Sequence, residues 1–209
     1  VPARTAAHRL SRRRRANEAR EVAATWLHDL GSKEREETAP RLRVTVVSPE
    51  PTPYRSPLFD LVSERPELDL TVVYAARTVA GRTWEVEPGH RAVFLDGVCV
   101  PGVSRVLRHD YPVTPGIIRA LGTSRPDVVV VSGWSTFASQ AAIAWCRSRH
   151  VPYLLLVSSH DEGPKAGWRR AIKGTLVPPL VKGAAGGLVL GRLSRDSLVA
   201  LGARPERLY

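Results

Sequence analysis

The sequence predicts a doubly wound α/β fold, a Rossmann-like parallel sheet, and three observations predict it. Residues 127–131 read Asp-Val-Val-Val-Val, bounded by Pro126 and by Ser132-Gly133. An unbroken valine run of that length fits a strand buried on both faces, as in the middle of a parallel sheet. Ser135 to Arg149 then give about four turns of helix, with Ala138, Ala141, Ala142 and Trp145 on one side, before a second apolar run over Val151–Ser158. Strand, helix and strand at this spacing make a parallel crossover unit. Finally, the same alternation recurs on both sides of this unit. In such sheets ligands bind beyond the carboxyl ends of the strands. Those ends are Ser132-Gly133-Trp134-Ser135 and Ser158-Ser159-His160-Asp161, so the site is expected there.

Taken in order, Leu42–Val47 begin the fold as a strand, followed by a proline-rich loop from Pro49 to Arg55. Ser56-Pro57-Leu58-Phe59 reads as a helix start, because serine favours the N-cap and proline the first helical position. Leu58, Leu61 and Val62 supply its apolar face, and Leu68–Tyr74 the second strand. Arg77–Val100 reads as irregular, with short extended pieces near Val93 and Cys99, and Pro115–Leu121 as a short helix. Beyond Asp161 a Gly-Pro turn precedes a helix over Lys165–Lys182, expected to break or kink at Pro178-Pro179. Gly187–Leu190 is a last short strand, Ser194–Leu201 a helix stopped by Gly202, and a further strand starts at Arg207–Tyr209.

Residues 1–40 differ from the rest. They hold the run Arg12–Arg15 and a mixed-charge cluster at Glu34–Glu37, with Val22, Trp26 and Leu30 at helical spacing. Three apolar anchors are too few for an independent fold, so 1–40 is expected to be a basic, flexible tail and 41–209 the folded domain. The net charge of +11 is spread over both parts. Nucleic acid, an anionic membrane surface or phosphorylated substrates would each account for it. Within the tail Trp26 is the lone aromatic, which argues against a stacking contact with RNA. Cys99 and Cys146 match no disulfide, metal or redox spacing, so a reducing compartment is expected. No apolar run approaches the roughly 18 residues of a membrane span, and the basic N-terminus has no apolar core of a secretory signal.

Several residues suit a binding or catalytic site. His160 and Asp161 sit at a strand end, and histidine is the side chain whose ordinary pKa lies nearest neutrality, suited to proton transfer. The same position also suits a histidine that satisfies loop carbonyls. Tyr54 and Arg55 stand at the start of the first helix, where the helix end and a planar guanidinium favour phosphate or carboxylate. Trp134, Ser135 and Thr136 can stack a sugar ring and hydrogen-bond its hydroxyls, while Ser135 is also placed to cap its helix. The first loop has no G-x-G-x-x-G, and the chain has no phosphate-binding lysine loop, serine elbow, zinc spacing or carboxylate pair. No metal or other cofactor is therefore expected.

From Arg41 onward the chain resembles the N-terminal half of a family 4 glycosyltransferase of the two-domain B-type fold. The pieces that carry the resemblance occur in order: VTVVSPEPTPYRSPLFDLV, RPDVVVVSGWSTFASQAAIAW, VPYLLLVSSHDEG and AAGGLVLGRLSRDSLVALGARPERLY. The resemblance implies a half that receives a glycan or lipid-linked acceptor, with a nucleotide sugar as co-substrate in the cleft between the halves. It places His160 near the transferred sugar as the catalytic residue. The half that supplies most nucleotide-sugar contacts has no counterpart in these residues. The chain is accordingly expected to be a fragment inactive alone, or a subunit completed by a separate donor-binding chain. Enzymes of this kind often dock on anionic bilayers from the cytoplasmic side. Lys165, Arg169, Arg170 and Lys173 would form the corresponding basic stripe, since Lys165, Arg169 and Lys173 recur every fourth residue. A non-catalytic α/β binding module remains the alternative. A response regulator is disfavoured, since Ser48-Pro49-Glu50 offers one carboxylate where such a domain needs a cluster. Nucleic-acid binding rests on charge alone.

Overall fold

The structure, a computed structural model, describes residues 40–78, 86–98, 111–158 and 167–209, with residues 167–173 as backbone. Among them are six strands: β1 (Leu42–Ser48), β2 (Leu68–Tyr74), β3 (Ala92–Phe94), β4 (Val128–Ser132), β5 (Tyr153–Val157) and β6 (Gly186–Val189). Helices α1 (Ser56–Ser63), α2 (Ile117–Ser124), α3 (Phe137–Arg149), α4 (Gly167–Gly183) and α5 (Arg192–Ala200) connect them, and a single 3₁₀ turn spans Pro205–Arg207. The strands form one sheet in the order β3-β2-β1-β4-β5-β6. Every neighbouring pair is parallel. This is the Rossmann order, in which the direction of winding reverses between β1 and β4.

The valine runs build the sheet because alternate side chains leave a strand on opposite faces. On one face Val47, Val129, Val131, Leu155 and Val157 meet Ile117, Leu121, Ala142, Ile143, Val177, Val181 and Leu198 from α2, α3, α4 and α5. On the other, Val44, Val46, Val72, Val130, Leu154 and Leu156 share a cluster with Phe59 of α1, against which Val62 also packs. All five residues of β4 are buried. That is why its sequence shows no polar alternation.

The register of β1 on β4 is set at the amino edge by Arg43 and Asp127. The Asp127 carboxylate accepts from the Arg43 main-chain N–H at 3.0 Å, from Nε at 3.1 Å and from Nη2 at 2.7 Å. The Asp127 N–H in turn donates to the Arg43 carbonyl at 2.9 Å. Burial pushes the Asp127 carboxyl up, but the hydrogen bonds and charge of Arg43 outweigh it and hold the group below its ordinary value. Cys146, buried in α3 against the sheet, is pushed up to about 12 by burial and stays a neutral thiol. Cys99 lies outside the described residues.

Several boundaries differ from the sequence reading. The helix expected at Pro115–Leu121 runs from Ile117 to Ser124 and stops with Arg125 at φ 45°. Its stop is set by Pro126, which disfavours a helical conformation in the residue before it. The extended piece expected near Val93 is Ala92–Phe94, which pairs with β2 as an edge strand. Ser56 does not cap α1: it is already helical, Arg55 holds the cap position without a side-chain bond, and Pro57 falls one place later. The turn is closed instead by the Thr52 carbonyl, which accepts from Arg55 N–H at 3.1 Å and Ser56 N–H at 2.9 Å. The cap of α3 is Thr136, not Ser135, since Thr136 is extended and its oxygen accepts from Ser139 N–H at 3.1 Å. Helix α4 runs unbroken through Pro178 and Pro179. The expected strand start at the end of the chain is present as a parallel bridge between Leu208 and Gly187.

Asp127→Asn is expected to lower stability by about 1 kcal/mol, the scale for a charge-assisted pair that is partly screened by solvent. Because the native carboxyl is lowered, the contribution of Asp127 is full above its unfolded pKa and fades as pH falls through the native value. Urea denaturation between pH 7 and pH 3 measures it. The wild-type and Asn proteins should converge in stability at the acid end, and a constant difference across the range would rule the linkage out.

Candidate functional site

The reversal of winding leaves a crevice at the carboxyl edge between β1 and β4, because the loops leaving the two strands diverge to opposite faces. Its first wall is the loop from β1 to α1. Glu50 and Thr52 on this loop are 4% and 5% exposed. The Ser48 hydroxyl donates to the Glu50 carbonyl at 3.4 Å, and the Tyr111 hydroxyl to Glu50 Oε1 at 3.1 Å. Main-chain bonds from Ala75 N–H to the Ser48 carbonyl and Ala76 N–H to the Pro49 carbonyl, both at 3.0 Å, fasten the loop beside the end of β2. The second wall follows β4. Ser132 is buried and its Oγ makes no hydrogen bond among the described residues. Gly133 at φ 72° turns the chain over the sheet edge with open space where a side chain would stand. Its N–H donates to the Leu156 carbonyl at 3.0 Å, tying the loop to β5.

Arg55 reaches from the first wall past the end of β4 to β5. Its Nη2 donates to Ser158 Oγ, at the end of β5, at 2.6 Å, and its guanidinium lies 5.7 Å from the Tyr54 ring centre. Tyr54 is 65% exposed. Trp134 is half-buried, and its carbonyl accepts from Gln140 Nε2. Ser135 is exposed, whereas Thr136 is buried with its hydroxyl engaged by Ser139 Oγ at 2.8 Å and Ser139 N–H. Tyr54, Arg55, Trp134 and Ser135 thus stand on neighbouring loops of β1 and β4, joined to β5 through Ser158. The Thr136 hydroxyl is spent on its helix. His160, Asp161 and Lys165 lie outside the described residues, as do the side chains of Arg169, Arg170 and Lys173. Among the described residues no group of three or more His, Cys, Asp and Glu is placed to hold a metal ion.

The sequence reading missed a buried relay behind the first wall. His90 Nδ1 lies 2.6 Å from Asp60 Oδ1, which also accepts from the His90 N–H at 2.9 Å, and His90 Nε2 lies 2.9 Å from the Tyr74 hydroxyl. The His90 side chain has no solvent exposure, and the Phe59 ring meets it edge-on at 5.8 Å. Burial raises the Tyr74 hydroxyl's pKa, so the phenol stays neutral. The relay pins α1 to the end of β2 and so holds Tyr54 and Arg55 over the crevice. No short-range pattern announces it, because Asp60, Tyr74 and His90 come from three separate elements. Glu50 was more legible, as a charged residue between prolines directly after a buried strand.

Chemically the loops at this edge carry an indole face, hydroxyls at Ser135 and Ser158, a guanidinium and, behind them, a buried carboxyl. This suits a polyhydroxylated ring bearing an anionic group.

No protein-family model matches the chain, and no curated protein does. Solved structures do. A UDP-N-acetylglucosamine 2-epimerase crystal structure superposes with a TM-score of 0.53 at 14% identity, over 81% of this chain and 48% of that one. HepE of Anabaena, in complex with UDP and glucose, gives 0.50 at 12% identity over 81% and 44%. S. aureus MnaA in its co-structure with UDP gives 0.50 at 14% identity over 80% and 44%. At these identities the likeness shows the fold: a Rossmann-like α/β half of the B-type architecture. The chain spans about half the length of these structures. Assignment to family 4 is carried by none of them.

His90→Ala leaves the buried Tyr74 hydroxyl and the part-exposed Asp60 carboxylate without their shared partner. The loss should be about 2–4 kcal/mol, from the unsatisfied groups together with the cavity, read as a drop in urea midpoint. Exchange of the α1 amides should quicken more than that of β4. Uniform loosening of both would show that the relay does not act through α1.

Proposed function

We propose that this chain is the acceptor-receiving half of a B-type enzyme that acts on nucleotide sugars, and that its reaction is retaining transfer of a sugar to a glycan or lipid-linked acceptor. The observation that carries the reading is the bond from Arg55 to Ser158. It joins the loop after β1 to the strand whose next residues are Ser159, His160 and Asp161, across the end of β4. An acceptor ring is held by the Trp134 face and by the Ser135 hydroxyl. Tyr54 and Arg55 orient it from the other wall, and Asp161 accepts from its hydroxyls. His160 faces the transferred sugar and moves or holds a proton there. The nucleotide-sugar donor is a co-substrate bound mainly by a second half, supplied by further sequence or by a partner chain, and no metal is required.

The fold likeness to a UDP-N-acetylglucosamine 2-epimerase favours a second reading, half of an enzyme that inverts a carbon of the nucleotide sugar itself. The non-catalytic binding module completed by a partner chain is a further alternative. The completed enzyme separates these readings by its products. Transfer yields nucleoside diphosphate together with a glycosylated acceptor, epimerisation yields a new nucleotide sugar without acceptor, and the binding module yields neither.

Titration calorimetry of the 209-residue chain with uridine and guanosine diphosphate sugars should show nothing tighter than roughly millimolar, about −4 kcal/mol. A micromolar constant for any of them would mean that this half binds the donor by itself.

Among the described residues no helix is long and apolar enough to cross a membrane. Peripheral docking belongs to the same proposal: Lys165, Arg169, Arg170 and Lys173 would each contribute about 1 kcal/mol at an anionic surface, screened by salt. Co-sedimentation with phosphatidylserine vesicles, using protein without residues 1–40, should show binding at low salt that is lost at high salt and on replacing all four by Gln. Binding that survives the replacement would place the contact elsewhere.

A further inference from the structure

A second concave site lies at the opposite edge of the sheet, remote from the carboxyl-edge crevice. The ends of α4 and α5, the start of β6 and the turn before Leu208 enclose a cavity of about 750 Å³. That is the size of a small-molecule site. Its accessible apolar lining is Ala184, Ala185 and Ala203, with Leu155, Val181 and Leu198 buried beneath, and its rim carries Lys182, Arg204 and Arg207. Among the described residues no carboxylate lines it. None of the three cations forms an ion pair with a described residue.

Three local devices hold the cations in place. Gly202 at φ 95° leaves room for the Lys182 stem, since a side-chain carbon there would come within 2.6 Å of Lys182 Cε. Arg195 braces the turn by donating from Nη1 to the Leu208 carbonyl at 3.0 Å and from Nη2 to the Pro205 carbonyl at 2.9 Å. The Arg207 N–H donates to the Arg204 carbonyl at 3.0 Å, so the two arginines flank one tight turn. Unpaired cations converging on one concavity raise the local potential and concentrate anions there. Arginine forks match phosphate oxygens in pairs.

We propose that this cavity binds a small phosphorylated molecule, its phosphate between Arg204, Arg207 and Lys182 and the rest of the molecule against Ala184 and Ala203. The volume, that of a small-molecule site, favours a small ligand over a polymer. The competing role for the cations is to neutralise the carbonyl ends of α4 and α5.

Inorganic pyrophosphate is the probe, titrated into the full chain at low ionic strength by calorimetry. Expected is saturable one-to-one binding, weakened at least about tenfold in Arg204→Gln/Arg207→Gln and in Lys182→Met, which keeps the packed stem. Movement of the Gly186 and Gly202 amide signals on titrating the unaltered protein gives a readout that needs no variant. The proposal is overturned by absence of saturable binding, which leaves the cations to the helix ends. It is also overturned by an affinity unchanged in the variants, which places the phosphate elsewhere, the Arg12–Arg15 run included. A single-stranded RNA decamer that binds through the same residues more tightly than pyrophosphate would overturn the small-ligand reading. None of these outcomes depends on the nucleotide-sugar proposal.

Discussion

The seam between β1 and β4 is the constraint on which the rest depends. Two strands far apart in sequence meet there side by side, Val44 against Val128 through Val47 against Val131. The helices after β4 pack on one face of the sheet and α1 on the other. A slip by one residue would turn the valines of each face toward the wrong helices. The Arg43–Asp127 fork sits one residue before this register begins and engages main chain as well as side chain, so it opposes such a slip directly. The same reversal makes the loops above the two strands part, which is the physical origin of the crevice.

What fills the crevice is held from behind. Main-chain bonds from Ala75 and Ala76 fix the loop after β1, and the Asp60–His90–Tyr74 relay fixes the helix it leads into. Tyr54, Arg55, Trp134 and Ser135, the residues proposed to bind a ligand, are partly or fully exposed on these supports. Rigid scaffold below and polar, accessible loops above is the usual division between stability and binding. The His90 ring is buried and bonded at both imidazole nitrogens, so it acts as support and not as a reacting group.

The two edges of the sheet differ in chemistry. The carboxyl edge collects hydroxyls, an indole, one buried carboxyl and Arg55, a mixture suited to hydroxylated rings. The amino edge beneath β5 and β6 collects Lys182, Arg204 and Arg207 around an alanine lining. The overall charge of +11 therefore has at least one structured focus.

The sequence alone determined the sheet. Unbroken apolar runs at Val128–Val131 and Tyr153–Val157, separated by a helix length, admit little except parallel strands buried on both faces, and their carboxyl ends point to the site. Helix boundaries were less legible because capping is a contest among neighbours: Thr136 won over Ser135 through its extended backbone, and the Thr52 carbonyl took over what Ser56 was expected to do. Ala92–Phe94 was legible only as an extended piece near Val93, because three residues carry no period that fixes bounds or partner. Only the tertiary structure decided the groupings built from distant residues. Asp60 with His90 and Tyr74, Arg55 with Ser158, and Lys182 with Arg204 and Arg207 each join side chains from separate elements. Periodicity reports which face a residue occupies, but which faces meet depends on the packing of whole elements, and no local pattern encodes it.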